Sequence, residues 1–412
     1  IFVCARSFAL SAPYGIISLE GAAACRIRSP ALDLAMGRSV TYKPYRPKSV
    51  LNQRKRADHW FWTRYSAYPY LGCQHGCEFC YCREEKYYPY DEVEDFAFVV
   101  QAKENAPQLL RRGLSRSPVD LISVGDYQPA ERRFRLSRQM LEVCYELGFP
   151  VFLLERSPLV LDDLDLIESI AERGAAAVAF SVISTPDSPG YDRVRQMERR
   201  APAVARRLAA MQKIAAAGIL TGTCLMPVLP DLCDDEATLE NVVHWTADHG
   251  GQFVLAGGLT LSDQQRDYFF DVLTKRFPDL LDRYRALYPP GSYGATGGGW
   301  REIACRVREF CQRYGLSDRV PRPIIPGDKR TLNKRVVESL VNQLYTMELE
   351  GAPSHRQWAY RKAAWSIEDL EQDLGLVYRV MGRKGLESIE NVGPKLALVV
   401  ERFLLEAQER SA

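Results

Sequence analysis

Three cysteines dominate the chemistry open to this chain: Cys73-Gln-His-Gly-Cys77-Glu-Phe-Cys80 spaces its thiols as C-x3-C-x2-C. Three thiolates on one short loop can hold three irons of a [4Fe-4S] cube and leave the fourth iron open to a substrate or cofactor. A structural zinc instead takes four protein ligands in a closed tetrahedron, often from paired C-x2-C units, and no second Cys or His pair follows at such spacing. The ligand count therefore favours a reactive cluster over a structural zinc. Cys82 lies two residues past Cys80 and is read as a neighbour of the site rather than a fourth ligand.

Such a loop needs a rigid scaffold. Val119–Val124, Val151–Leu154, Ala177–Val182, Leu220–Met226 and Phe253–Ala256 read as strands, with room for a helix between each pair. That alternation gives a parallel sheet with helices outside. Six or so units are too few for a closed eight-fold barrel, so the expected α/β fold is a partial (β/α)6 barrel. Functional groups then belong at the strand ends, where the cysteine loop, Gly125-Asp-Tyr-Gln-Pro129, Glu155-Arg156-Ser157, Ser181 and Pro227 all fall. Between Leu259 and about Arg322, the glycines before Trp300 read as a loop. Pro321, Pro323 and Pro326 punctuate a linker, and Val336, Leu340, Leu344 and Met347 recur at helical spacing beyond it. The expected organisation is an N-terminal extension over residues 1–45, the barrel over 46–322, a linker over 323–330 and a separate all-α domain over 331–412.

With 412 residues, 46% hydrophobic and 26% charged, the chain is an ordinary globular protein rather than a disordered one, and a net charge of +2 does not mark the whole molecule as a polyanion binder. No apolar run approaches a membrane span, and the start lacks a secretory pattern. The eleven cysteines are mostly scattered singly, which fits a reducing, cytoplasmic setting; Cys144, Cys224, Cys305 and Cys311 read as small core hydrophobes. Nothing before about Thr41 shows sustained periodicity, and Met36 opens a more ordinary beginning, so the residues before it are expected to be extra or poorly ordered. One arm carries Lys43, Arg46, Lys48, Arg54, Lys55, Arg56 and Arg64 against Asp58, interleaved with Tyr42, Tyr45, Trp60, Phe61, Trp62 and Tyr65. Cations among stacking rings suit nucleic acid; the plainer reading is a solvated arm packed over the barrel mouth.

The cysteine spacing resembles that of radical S-adenosylmethionine (SAM) enzymes, with Phe79 and Tyr81 in the places where aromatics flank the cluster and the following backbone meets the adenine. The resemblance implies a [4Fe-4S] cluster whose open iron holds SAM and cleaves it reductively, catalysis then resting on Cys73, Cys77 and Cys80. From about Lys48 to Leu229 the chain is similar to spore photoproduct lyase-like proteins, through Tyr68-Pro-Tyr-Leu-Gly-Cys-Gln-His-Gly-Cys, Asp126-Tyr-Gln-Pro-Ala-Glu-Arg-Arg, Ser157-Pro-Leu-Val-Leu-Asp-Asp-Leu-Asp-Leu and Phe180-Ser-Val. That similarity implies SAM contacts at Arg156 and Ser181, with Asp126, Gln128 and Glu198 as further pocket residues. Asp126 is equally readable as a turn-capping carboxylate. Where the family's lyase keeps a hydrogen-donating cysteine, this chain has Ser123 or Val124, which implies a changed substrate.

Residues Asn333 to about Phe403 resemble the helix-hairpin-helix domain of family X DNA polymerases, through Asn333-Lys-Arg, Leu344-Tyr-Thr-Met-Glu-Leu-Glu-Gly, Trp358-Ala-Tyr-Arg-Lys-Ala-Ala and Ile389-Glu-Asn-Val-Gly-Pro-Lys-Leu-Ala. By that match, backbone N–H groups near Gly393, with Arg356, Tyr360, Arg361, Lys362 and Lys395, would meet DNA phosphates. Val399 stands where those polymerases keep a lysine nucleophile, so no lyase activity is implied. The implied partners are nicked, gapped or damaged DNA and an electron donor such as a flavodoxin or ferredoxin, with no membrane. The expectation is a radical SAM enzyme of lyase or modification type acting on nucleic acid; the alternative is one that modifies a protein or small molecule, its helical domain docking a partner.

Overall fold

The computed structural model describes residues 38–88 and 92–409. Most of the expected extension, Met36 included, lies outside the described residues. Its last part is a strand rather than a tail: β1 (Thr41–Tyr45) pairs in parallel with β5 (Val99–Lys103). The antiparallel β4 (Tyr70–Leu71) completes that small sheet just ahead of the cysteine loop.

The main sheet runs β10 (Val254–Gly258), β9 (Leu220–Val228), β8 (Ala176–Ser181), β7 (Val151–Glu155), β6 (Ile122–Val124) and β3 (Tyr65–Ala67), all parallel, with β2 (Asn52–Gln53) antiparallel at the edge. These six parallel strands are the expected partial barrel. The strand that launches the cysteine loop, β3, escaped the sequence reading because three residues are too few to show a period. The glycines before Trp300 do not make a loop between domains: Gly298 takes φ 81° and caps the helix Gly299–Arg313, which packs on β10.

Alternation along the strands divides the core. Val151, Leu153, Val178, Phe180, Leu225 and Val254 face the surrounding helices. Leu121, Phe152, Ala177, Ala179, Cys224, Phe253 and Leu255 face inward and share one apolar cluster with Trp62 and with Val336, Val337 and Leu340 of the helix Thr331–Leu349. The aromatic arm therefore closes the floor of the barrel, at the N-terminal ends of the strands, and not its mouth. Phe61 stacks 5.2 Å from Phe152, and the Trp62 indole donates to Val320 O at 2.9 Å. Asp58 fixes the arm by accepting from the backbone N–H groups of Trp60, Phe61 and Thr63 at 2.7–3.1 Å. Trp62 and Tyr65 are 3% and 0% exposed, so their rings are not free to stack on bases.

Beyond an irregular stretch over residues 321–330, the helices Thr331–Leu349, Ser354–Asp369, Leu374–Glu387 and Pro394–Glu409 form the all-α part. They are joined to the floor, and Val40–Ala412 forms one compact unit. Buried Lys334 bridges Asp120 (3.5 Å) and Asp328 (2.7 Å), Arg322 forks onto Glu368 at 2.7 Å, and Arg56 pairs with Asp369. Among the described residues no helix is long and apolar enough to cross a membrane.

Candidate active site

The cysteine loop is set by backbone conformations that only glycine tolerates. Gly72 sits at φ 77°, and a Cβ there would stand 2.4 Å from Val99 O; Gly76 sits at φ 57°, where a Cβ would meet Ala97. From the sheet side, fully buried Gln128 splints the loop: its Nε2 donates to Gly72 O (3.1 Å) and Asp126 Oδ2 (3.0 Å), and its Oε1 accepts from Gln74 N (3.0 Å). From the opposite side Arg83, 1% exposed, donates to Cys77 O (3.2 Å), Gly76 O (3.2 Å) and Val93 O (2.9 Å) while lying between the rings of Phe96 (4.6 Å) and Tyr268 (4.2 Å). Glu78, inside the motif, accepts from Tyr268 and from Arg276 (2.6 Å), which ties the loop to the helix Asp263–Arg276. Sequence reasoning missed Arg83 and Arg276; the one available signal was a cation three residues after the last motif cysteine.

The thiols fit a cluster. Cys77 is buried and Cys73 and Cys80 are half-buried. Burial pushes the Cys73 thiol well up and that of Cys77 to about 11, whereas a hydrogen bond from Cys82 brings Cys80 down to about 7. All three press on one cation: burial works against the Arg156 charge, but Cys77, Glu198, Cys80 and Cys73 together hold it above its ordinary range. Among the described residues no three Cys, His, Asp or Glu side chains close on a single ion. That spacing is compatible with a cube, which takes its thiolates one per iron. Cys73, Cys77 and Cys80 would hold the cluster, and Cys82 stays beside it.

Arg156 and Ser181 project from the ends of β7 and β8, and both donate to Met226 O, at 3.2 and 3.1 Å. Arg156 also lies 5.1 Å from the centre of the buried Phe79 ring and donates to Glu198 at 2.5 Å. Glu198, 1% exposed, accepts as well from Arg195 (2.9 Å) and from the fully buried Arg207 (2.8 Å). Although burial opposes it, Arg207 and Arg156 hold the Glu198 carboxyl below its usual range. Three guanidinium groups against one carboxylate leave the pocket with excess positive charge, suited to a carboxylate ligand. Sequence reasoning missed Arg195 and Arg207, which lie on helices and not at strand ends; the spacing of Arg195 three residues before Glu198 was the one signal.

Asp126 follows β6, and burial raises its carboxyl to about 7. Its neighbour Glu155 is pushed well up for the same reason while accepting from Tyr127 N at 3.1 Å. Tyr81 is 52% exposed at the rim. Above the apolar floor the inward positions at the mouth are Ser123, Ser181 and Gly257 together with Leu154, which is 41% exposed, and Met226, which packs against Gly257. Tyr68 OH meets Ser123 Oγ there at 2.9 Å.

The nucleic-acid candidates are spread over the helical part. Arg361 is spent on Glu348 (2.7 Å) and Tyr360 packs on the core, whereas Arg356, Lys362, Gly393 and Lys395 are exposed.

Fold and loop together define an enzyme class that works through an iron–sulfur cluster at the mouth of a partial barrel. Residues 68–242 match the radical SAM superfamily. Uncharacterised proteins of Mycobacterium tuberculosis (strain H37Rv) and Mycobacterium bovis are each 30% identical over 307 residues, 72% of this chain and 86% of theirs. An uncharacterised Methanocaldococcus jannaschii protein is 29% identical over 176 residues, 42% of this chain and 64% of its own. A solved structure of a spore photoproduct lyase variant superposes with TM-score 0.50 at 14% identity, over 67% of this chain and 81% of that one, and so shares the fold. The chain belongs to the radical SAM superfamily, and its cofactors are a [4Fe-4S] cluster and S-adenosylmethionine.

Proposed function

We propose that this enzyme acts on nucleic acid, with DNA favoured, in a repair or modification reaction of the photoproduct lyase type, and that residues 331–409 grip that substrate. When bound, the cluster and SAM supply a 5′-deoxyadenosyl radical that abstracts hydrogen from carbon. The protein's own groups do the aiming. Arg156, held by Glu198 and Met226 O, offers charge to the SAM carboxylate beside Ser181. Asp126, near the midpoint of its titration at neutral pH, is placed to gain charge against the SAM ammonium. The Tyr68 and Ser123 hydroxyls stand at the mouth that receives the substrate.

The observation that carries the nucleic-acid reading is the hairpin between the helices Leu374–Glu387 and Pro394–Glu409. Asn391 adopts φ 61° there and donates to Ser366 Oγ at 2.9 Å, which presents the exposed Gly393 and Lys395 at the head of the last helix. Free N–H groups at a helix start, reached over a residue without a side chain, suit a phosphate. Beside the hairpin runs a groove lined by Lys362, Trp365, Ser388 and Asn391, with Arg56 lying over the Trp365 ring and paired with Asp369, and with Glu390 at its edge. The grip lies at the floor and the chemistry at the mouth, so the substrate must be long enough to reach round the barrel.

The second reading, a protein target or partner, draws on the exposed apolar side chains Leu376 (51%), Val380 (73%) and Met381 (56%) on the same helical part. Anaerobic reconstitution, reduction with dithionite and assay of 5′-deoxyadenosine with and without nicked, gapped and ultraviolet-damaged duplexes tests both. Acceleration by a long duplex and none by dinucleotides is the expected result. SAM cleavage indifferent to every nucleic acid would move the target to protein or small molecule.

A further inference from the structure

The cluster loop is walled on two sides. The mouth, with Arg156, Ser181 and Glu198, belongs to SAM and substrate, and the Arg83–Glu78–Arg276 cage fills the opposite side. Cys73, Gln74 and Gly76 remain partly exposed on the third side. Arginines flank that opening. Arg133 lies 5.4 Å over the ring of Tyr42, whose hydroxyl donates to Gln74 Oε1 at 3.3 Å. Arg200 donates to Ala97 O at 3.2 Å, lies 4.5 Å over Phe98, and brings its Cδ within 3.7 Å of where a Gly76 Cβ would be. Arg132 and Arg199 sit beside them in the chain; all four are exposed and none pairs with an acid among the described residues.

We infer that this arginine-flanked opening over Gln74–Gly76 is the docking surface for an acidic, one-electron donor protein. Four exposed cations that form no ion pair, next to a redox group, attract a partner of negative surface charge and raise its encounter rate. The step would balance: the donor's reduced flavin or iron–sulfur group would give up one electron, and the cluster held by Cys73, Cys77 and Cys80 would take it. Nucleic acid would also meet such charges, but the opening leads to the back of the cysteine loop and not to the barrel mouth. The inference holds whether or not the substrate is nucleic acid.

The test titrates reconstituted holoenzyme with an acidic flavodoxin at low salt and measures Kd alongside the rate of cluster reduction. The double variant R132E/R133E and the single variant R199E should each weaken flavodoxin binding by about tenfold or more, and added salt should erase the difference. The variant E94K, on the turn whose Ala97 carbonyl holds Arg200, should tighten binding instead. With dithionite as reductant, all three variants should cleave SAM at the wild-type rate. An unchanged flavodoxin Kd in both charge-reversal variants would overturn the inference. So would a loss that persists with dithionite, or a loss of DNA binding with flavodoxin binding intact, since either would give the arginines to cofactor or substrate.

Discussion

Arg83 offers the sharpest quantitative test of how the cysteine loop is held. Replacing it with glutamine takes a charged donor from three carbonyls, those of Gly76, Cys77 and Val93, although Cys77 O keeps the Cys80 N–H at 3.2 Å, and removes a cation from between two rings. Each lost hydrogen bond costs about 1 kcal/mol net, so the three together cost about 3 kcal/mol. The lost cation–π contacts add about 1–2 kcal/mol. A total of about 4–5 kcal/mol shifts the balance between ordered and disordered loop by about a thousandfold or more. Iron and sulfide content after anaerobic reconstitution, followed by the rate at which a chelator bleaches the cluster, reads this directly. The R83Q protein should bleach at least about a hundredfold faster than wild type, and R83K, which keeps charge but loses the fork, should fall between. An R83Q protein with native circular dichroism, full iron and wild-type chelator resistance would refute the reasoning.

Four further outcomes follow from the same geometry. Gly72→Ala forces a Cβ against Val99 O at φ 77°, so it should abolish cluster retention while thermal unfolding of the barrel changes little. Glu198→Gln leaves Arg207 and Arg156 unmatched in the interior; a loss of about 3–5 kcal/mol in denaturant unfolding and weaker SAM binding by calorimetry are expected, and unaltered SAM affinity would count against the pocket. Lys334→Met strips Asp120 and Asp328 of their buried cation and should lower the melting temperature of the whole unit in one transition, not release the helices alone. His59 is held at about 4 by burial and then by Arg361, so it stays neutral in the fold while the unfolded chain takes up a proton near 6.5. Stability is therefore complete above pH 6.5 and declines as pH falls towards 4. Discounted for partial exposure, the loss is about 1–2 kcal/mol, and His59→Asn should flatten that part of the stability–pH curve.

The parts of the fold legible in the sequence were those with their own period: five of the six parallel strands lay within a few residues of where β-branched runs placed them. What was lost had too little length or the wrong context. Tyr65–Ala67 is too short to alternate, and the glycines before Trp300 look like a loop until Ile303, Val307 and Phe310 are seen packed on the barrel. The basic aromatic arm shows why composition misleads. Its rings and cations are arranged as for nucleic acid, yet Asp58 folds the arm onto itself and Phe61 and Trp62 go into the floor. At the site, the cysteines announced themselves by spacing, while Arg207 reaches Glu198 from another helix and Arg83 folds back on the loop, contacts that no linear period encodes.

The floor also dictates a timetable. Cys80 leaves the ribosome about 320 residues before Val400, an interval of about 16–64 s at ordinary rates of synthesis. Helix Asp263–Arg276, which braces the loop, arrives partway through, and the helices that cover Phe152, Ala177 and Phe253 arrive last. Until then the nascent barrel carries an open cysteine loop at one end and a bare apolar floor at the other. A chain cut short before Thr331 would keep every cluster ligand and still expose the surface that invites aggregation.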